Sequence, residues 1–409
     1  MNITYKYGRS KELLNLPDHT KELNIHDPKK NINKEAFINK LKKSILHSEK
    51  SLSNVGIVVS DKTRLCDYPL YLPWVTETIE GLGAEPEDIT FYIAYGTHPR
   101  QSDEECLNTY GETYNKYLFT HHNSREHSAH TTLGITSYGT EARIRKDILR
   151  SSLIITFGAI SHHYFAGFGG GRKLIFPGLG AQHAIYENHK LFLNFKKNKL
   201  HSACQPGNLY RNPLATDLKE IDAMLPGKIS IHGILNSTGK VCALHVGRTY
   251  EDFEKACAIH NSNYRARESE VYDVVVASAG GYPKDINYIQ SHKSIHNAAA
   301  FVKNKGHLIL FAACNDGIGN DSFLEIFKMG EEAEIYNNLA KNYSGNGGTA
   351  LATLAKTKRI HVHLVTSLAE EDCNLMGIHK TTVNEAREII SRNANKKIAS
   401  IQNASMLIK

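Results

Sequence analysis

The sequence predicts an α/β protein of two α/β domains with largely parallel sheets and the active site in the cleft between them. Three observations carry that reading. Apolar, strand-like runs end repeatedly in polar or glycine-bearing turns, helical patterns fill the intervals, and 409 residues exceed what one ordinary core organises. In such sheets ligands collect outside the carboxyl ends of the strands, so the residues just past each run are the first candidates for chemistry.

The elements follow in order. EAFINKLKKSILHSE (35–49) has a helical pattern, and SNVGIVVS (53–60) is a strand that leads into DKTR. LYLPWVTETIEGLG (70–83) is again helical, and DITFYIAY (88–95) leads into GTH. SSLIITFGAI (151–160) runs towards HHYFAGFGGGRKLIFPG, residues 162–178, which the glycine density predicts to be a shaped loop. A helical TYEDFEKACAIHNSNYRARESE (249–270) ends in a polar run. A second alternation follows with VYDVVVASA (271–279), GGYPKDINYIQSHKSIHNAAAF, HLILFAA (307–313) and RIHVHLVT (359–366). The NYRARESE run sets a domain boundary near residue 265, giving domains 1–265 and 266–409.

Composition narrows the function classes. With 41% hydrophobic and 22% charged residues, no long apolar run and no apolar core in MNITYKYGRSKELLNLPDH, the expectation is a cytoplasmic protein that does not enter a membrane. The net charge of +7 is spread, with KLKK and KKNKL reading as solvated helix faces, so nucleic acid is not an expected partner. The odd count of seven cysteines without a C-x-x-C pair argues against a disulfide framework or a zinc ribbon. Histidine, at 22 residues, is the outlier.

Glycine at four of five positions from Gly167 to Gly171 fits a backbone that must approach an anion closely, with Arg172 and Lys173 adding charge. It is not a P-loop, which needs glycine before the lysine and Ser or Thr after it, where this chain has Arg172 and Leu174. A Rossmann fingerprint is also discounted, because Lys173 and Pro177 interrupt the segment. Lys173 itself reads either as a solvated charge or as a nucleophile or covalent anchor. His98, His163 and His189 each fit a hydrogen-bonded structural role; together they fit metal ligation or acid/base work, and His162 and His183 are open to the same roles. Asp61 and Arg64 read as a turn ion pair or, for the arginine, as a carboxylate or phosphate clamp. Gln290 and Lys293, three apart, share a helix face and suit one substrate carboxylate. No Ser-His-Asp order and no H-E-x-x-H pattern accompanies them.

Taken together and in order, SDKTR, YGTH, HYFAGFGGGRKLIFPG, ENH and GGYPKDINYIQSHK resemble the nickel-pincer lactate racemases and related 2-hydroxy-acid racemases and epimerases. The resemblance spans most of the chain, including YGRSKELLNLPD and GNLYRNPLATDLKEI. It implies that Lys173 tethers a nickel-pincer nucleotide (pyridinium-3,5-bisthiocarboxylic acid mononucleotide nickel), that His189 completes the nickel coordination, and that His98 and His163 are the acid/base pair. It also implies cofactor-side roles for Asp61, Arg64, Thr97, Gly170, Gly171 and Arg172, and substrate-side roles for Arg64, Gln290 and Lys293. The N-terminal domain would then carry the cofactor site and the C-terminal domain the substrate-side residues. The reaction implied is reversible hydride transfer from C2 of a 2-hydroxy acid, and the implied partners are that acid and the enzymes that synthesise the pincer. Against the family pattern, GTHR becomes GTHPR with Arg100 one place along, Leu65 follows the TR dipeptide, Ile289 precedes Gln290, and the only tryptophan is Trp74. These changes leave open which acid is used. Two competing readings are a metal-dependent hydrolase that uses His98, His163 and His189 directly with Lys173 unmodified, and a catalytically inactive nucleotide-binding relative.

Overall fold

The computed structural model describes every residue of the chain except Pro226, Asp321 and Ser344. Its residues fall into two compact units: Asp27–Leu191 with Ala203–Ser262, here the middle unit, and Met1–His26 with Phe192–Ser202 and Asn263–Lys409, here the terminal unit.

The middle unit is built on a sheet whose strands lie in the order Val241–Gly247, Lys228–Leu235, Leu153–His163, Val55–Ser60, Ile89–Ala94, Leu118–His121. All neighbours run parallel except Val241–Gly247 and a short strand, Gly167–Gly169, which turns back antiparallel along Leu153–His163. VGIVVS forms a central strand because it is β-branched and apolar on both faces, and every one of its residues is buried. Ile57, Val58 and Val59 are each 0% exposed, burial that stabilises the fold by about 1.5–3 kcal/mol per side chain. Helices Lys34–Leu46 and Tyr68–Glu80 cover the sheet, placing Phe37, Leu41, Leu72 and Val75 in one core with Ile57, Val59 and Phe91. Asn33 starts the first of these helices by accepting the Ala36 N–H. From Val55–Ser60 the chain steps outward through two strands and then returns to the other side of its starting strand with Leu153–His163. The carboxyl ends of these two strands are therefore the topological switch point.

The terminal unit is a parallel sheet in the order His379–Thr381, His361–Val365, Val302–Phe311, Tyr272–Ser278, Ile398–Ile401, Lys21–Glu22. The hairpin of Asn2–Tyr7 and Ser10–Asn15 packs on it: the Tyr5 ring stacks on Phe311 at 5.4 Å, and its hydroxyl lies 2.6 Å from Ser400 Oγ. This differs from a division at 265/266. The first 26 residues and 192–202 belong with the carboxyl-terminal part, because the hairpin needs the Val274, Val276 and Ile309 surface to bury Ile3, Tyr5 and Leu14. The helix expected over 249–270 stops at Tyr264. Among the described residues no helix is long and apolar enough to cross a membrane.

Candidate active site

The turn after Val55–Ser60 is organised around Asp61. Its carboxylate accepts the Thr63 N–H at 2.9 Å and the Thr63 hydroxyl at 2.6 Å on one oxygen, while the other lies 2.6 Å from His98 Nδ1. An ionised carboxylate only accepts, so Nδ1 carries a proton, and whenever the ring is neutral His98 Nε2 is the nitrogen with the lone pair. Burial pushes the Asp61 carboxyl up, but the hydrogen bond and charge of His98, the Arg64 charge and Thr63 together hold it below its ordinary range. Tyr68 ties the two switch-point strands together, since its hydroxyl accepts the Ser60 N–H and donates to the Phe157 carbonyl, each at 2.8 Å. Gln101 accepts the Lys62 N–H at 2.9 Å and fixes the same turn from below His98 in sequence. Thr97 is exposed in the turn that carries His98, and Arg64 is exposed with Nη1 3.2 Å from Thr63 Oγ1.

The glycine segment is not one loop. The strand continues to His163, reverses, returns as Gly167–Gly169 and then forms a short helical turn, Arg172–Ile175. The reversal needs glycine: Gly167 has φ +76° and an added Cβ would stand 2.3 Å from Asn208 O, while Gly170 has φ +76° and its Cβ would stand 2.4 Å from Ala159 O. Within this hairpin the N–H groups of Phe165 and Ala166 point at His163 Nδ1, at 3.3 and 3.0 Å. That nitrogen is thus the acceptor, and a neutral ring carries its proton on Nε2. Nε2 lies 3.0 Å from Lys173 Nζ, a contact that calls for an amine with a free lone pair. Desolvation, followed by the charges of Arg64 and Arg172, holds the Lys173 amine well below the ordinary lysine range. The hydrogen bonding calls for a neutral amine at Lys173, and the direction of the electrostatic shift favours that nucleophilic form.

His189 sits in helix Gln182–Lys190, with Nδ1 2.6 Å from the Ile185 carbonyl oxygen. Nδ1–H donates there, which leaves the Nε2 lone pair available, the arrangement typical of a metal-ligating imidazole. Burial pushes its pKa down to about 4. A neutral amine and an imidazole with a free nitrogen are what a lysine-tethered group carrying a borderline-soft metal would need, so the residues present fit such a group. Among the described residues no three His, Cys, Asp or Glu side chains are grouped as a directly bound ion would require. His98, His163 and His189 thus form no such cluster for a hydrolase to use.

The structure joins the predicted residues of the middle unit in two contacts, Asp61 with His98 and His163 with Lys173, with Arg64 within electrostatic reach of both Asp61 and Lys173. Gln290 and Lys293 belong to the terminal unit, on helix Tyr288–Ala299, where Lys293 Nζ donates to Gln290 Oε1 at 3.1 Å. Trp74 packs in the middle unit's core, 4.9 Å from the Tyr71 ring. Sequence reasoning missed Asn212, 0% exposed, whose Nδ2 donates to Phe165 O at 2.8 Å and Asn208 O at 3.0 Å, clamping the hairpin from a distant segment. Its Asn-Pro signal was readable as a helix start, which it also is, since Oδ1 caps Ala215 N–H.

Family models for the lactate racemase N-terminal domain and the lactate racemase C-terminal domain match residues 7–201 and 267–403. The chain is 27% identical over 344 residues to a lactate racemase of Thermoanaerobacterium thermosaccharolyticum, a match covering 81% of this chain and 79% of that one. It is 29% identical over 278 residues to a lactate racemase of Lactiplantibacillus plantarum, covering 66% of this chain and 62% of that one. The solved structure of the lactate racemase apoprotein from T. thermosaccharolyticum is similar with a TM-score of 0.88 at 25% identity, over 100% of this chain and 99% of the other. A Thermotoga maritima protein shares the fold with a TM-score of 0.69 at 16% identity, over 94% of this chain and 99% of that one.

Proposed function

This chain belongs to the lactate racemase family and is an isomerase, and from that premise we propose that it inverts C2 of a 2-hydroxy acid, as a racemase or epimerase, with His98 and His163 as the acid/base pair and Lys173 as the tether of a nickel-pincer nucleotide. The observation that carries the reading is the 3.0 Å contact between Lys173 Nζ and His163 Nε2, which puts a neutral amine and a catalytic candidate side by side. When bound, the pincer supplies a reversible acceptor for the hydride of substrate C2. The chain's own residues do the rest. His98, held by Asp61, presents Nε2 to take the proton of the 2-hydroxyl, and His163 serves the opposite face, since each enantiomer offers its hydroxyl from a different side. Arg64 is suited to a bidentate grip on the substrate carboxylate and to stabilising charge that develops beside it. His189 Nε2 would hold the nickel, and Asp61, Thr97, Gly170, Gly171 and Arg172 are assigned to the cofactor side on the family pattern. Gln290 and Lys293 are assigned to the substrate side on the family pattern.

The cofactor-synthesising enzymes are the partners this reading requires. All seven cysteines are buried free thiols, which accords with a cytoplasmic site of action. The decisive experiment is peptide mass spectrometry on protein co-expressed with those enzymes, followed by a chiral screen of 2-hydroxy acids. A nickel-bearing adduct on Lys173 and equilibration of one acid support the reading. An unmodified Lys173 in protein that is folded and metal-loaded overturns it, and an adduct without exchange at C2 points to an inactive relative.

A further inference from the structure

His189 moves with its helix. Its ring is fastened to the Ile185 carbonyl one turn earlier, inside Gln182–Lys190 itself, so the place of Nε2 is set by whatever holds that helix. The start of the helix is held by backbone: Ala181 N–H donates to the Arg143 carbonyl at 3.0 Å and Gln182 N–H to the Ser124 carbonyl at 2.9 Å. The last turn is held by a side chain. Asn188, next to His189 and 1% exposed, donates from Nδ2 to Asp217 Oδ2 at 2.7 Å, and Asp217 is 0% exposed on helix Pro213–Ala223.

An acid is a costly choice for that position. Burial pushes the Asp217 carboxyl up, and the hydrogen bonds from Thr136 and Asn188 offset only part of it. The groups that act on it most, Thr136, Asn188, Thr140 and Glu220, include no cation, whereas an apolar side chain would be buried there without the desolvation penalty. What the carboxylate adds is two acceptors. Oδ1 takes the Thr136 hydroxyl and Oδ2 the Asn188 amide. Thr136 Oγ1 in turn accepts the Thr140 N–H at 3.1 Å, in the turn between strands His130–Ile135 and Glu141–Arg145. Asp217 thereby joins its own helix to that turn and to the helix of His189. Asn212, the cap of the same helix, holds Phe165 in the hairpin that precedes Lys173. Helix Pro213–Ala223 is therefore bonded to the segments on both sides of the tether, the hairpin before Lys173 and the helix of His189.

We propose that Asp217, acting through Asn188, is a positioning residue for His189: it pins the last turn of Gln182–Lys190 and so fixes where the free imidazole nitrogen stands. The inference deepens the reading above and rests on His189 as the nickel ligand.

The test has two arms, both on the full chain, with Asn188→Ala and Asp217→Ala. In the apoprotein, hydrogen exchange is followed by mass spectrometry; peptides covering 182–190 are expected to exchange about tenfold faster in both variants, with peptides covering 55–60 unchanged. In protein co-expressed with the pincer-synthesising enzymes, the Lys173 adduct is expected to remain by intact mass while nickel release to excess EDTA speeds up by about tenfold. Asp217→Asn is expected to stay within about twofold of the parent protein in both arms, since its oxygen still accepts from Asn188 and its amide donates to Thr136 Oγ1. The double variant is expected to add nothing to Asp217→Ala. Ile221→Ala, a change at a 0% exposed core position of the same helix, separates lost stability from lost position: Tm falls and nickel release keeps the parental rate. Parental exchange over 182–190 in both alanine variants overturns the proposal, as does nickel release that follows Tm in every variant, Ile221→Ala included. A parent protein without the adduct defeats the nickel reading instead, and the exchange arm then decides the pinning by itself.

Discussion

Two histidines of the middle unit are oriented by partners of opposite kind. His98 gives its Nδ1 proton to the Asp61 carboxylate, whereas His163 receives two backbone N–H groups on Nδ1. The partner of one ring nitrogen decides the state of the other. His98 therefore stands ready as a base at Nε2, while His163 carries its proton there and offers it to Lys173. On the proposed reading the second arrangement belongs to cofactor loading. A thioamide at Lys173 would delocalise the nitrogen's lone pair, so that it would no longer accept from His163. To act as a base at Nε2, His163 would have to carry its proton on Nδ1 and release the N–H groups of Phe165 and Ala166.

The contrast can be broken at several points. Lys173→Ala has the largest effect: no adduct by intact mass and racemisation at background, in a protein whose circular dichroism is unchanged. Next, His98→Ala and His163→Ala are each expected to slow racemisation by about 10²–10⁴-fold in a chiral assay, and a variant that keeps full rate removes its histidine from the pair. Asp61→Asn should cost about 10–100-fold, less than His98→Ala, and adding it to His98→Ala should cost nothing more if Asp61 acts only through that ring. No such variant exists for His163, whose orienting partners are backbone.

A gentler probe addresses the lysine. Its pKa is lowered in the fold, so Lys173 has a larger unprotonated fraction than a surface lysine, and labelling by limiting acetic anhydride should reach it ahead of surface lysines at pH 7. Raising the pH towards 10 should raise surface labelling by a larger factor than labelling at Lys173. A Lys173 that lags the surface lysines would refute the neutral amine and with it the proton assignment of His163. The smallest effect is on stability. Gly170→Ala forces a side chain into φ +76° against Ala159 O and should lower stability by about 1–3 kcal/mol, seen as a Tm lower by a few degrees.

The legible part of the molecule was its periodicity and punctuation. VGIVVS, ITFYIA and LIITFGAI are strands wherever they are placed, because β-branched and aromatic runs of that length bury both faces. The polar residues after them marked the turns that hold Asp61, His98 and Lys173. Partnership was not legible. Nothing local tells that His98 meets a carboxylate 37 positions earlier, or that Asn212 reaches Phe165 across 47 residues. The hairpin of the first residues gave no sign that it would pack beneath Phe311, since its alternation is satisfied by any apolar face.

By itself, then, the sequence determined the α/β class, the positions of the turns and the chemical types available in them, because hydrophobic period and glycine demand are local properties. The tertiary structure alone decided which partner orients each histidine, which lysine amine is pushed towards its neutral form and which segments join to form each unit. Those outcomes depend on burial and on partners far away along the chain, and neither is encoded at any single position.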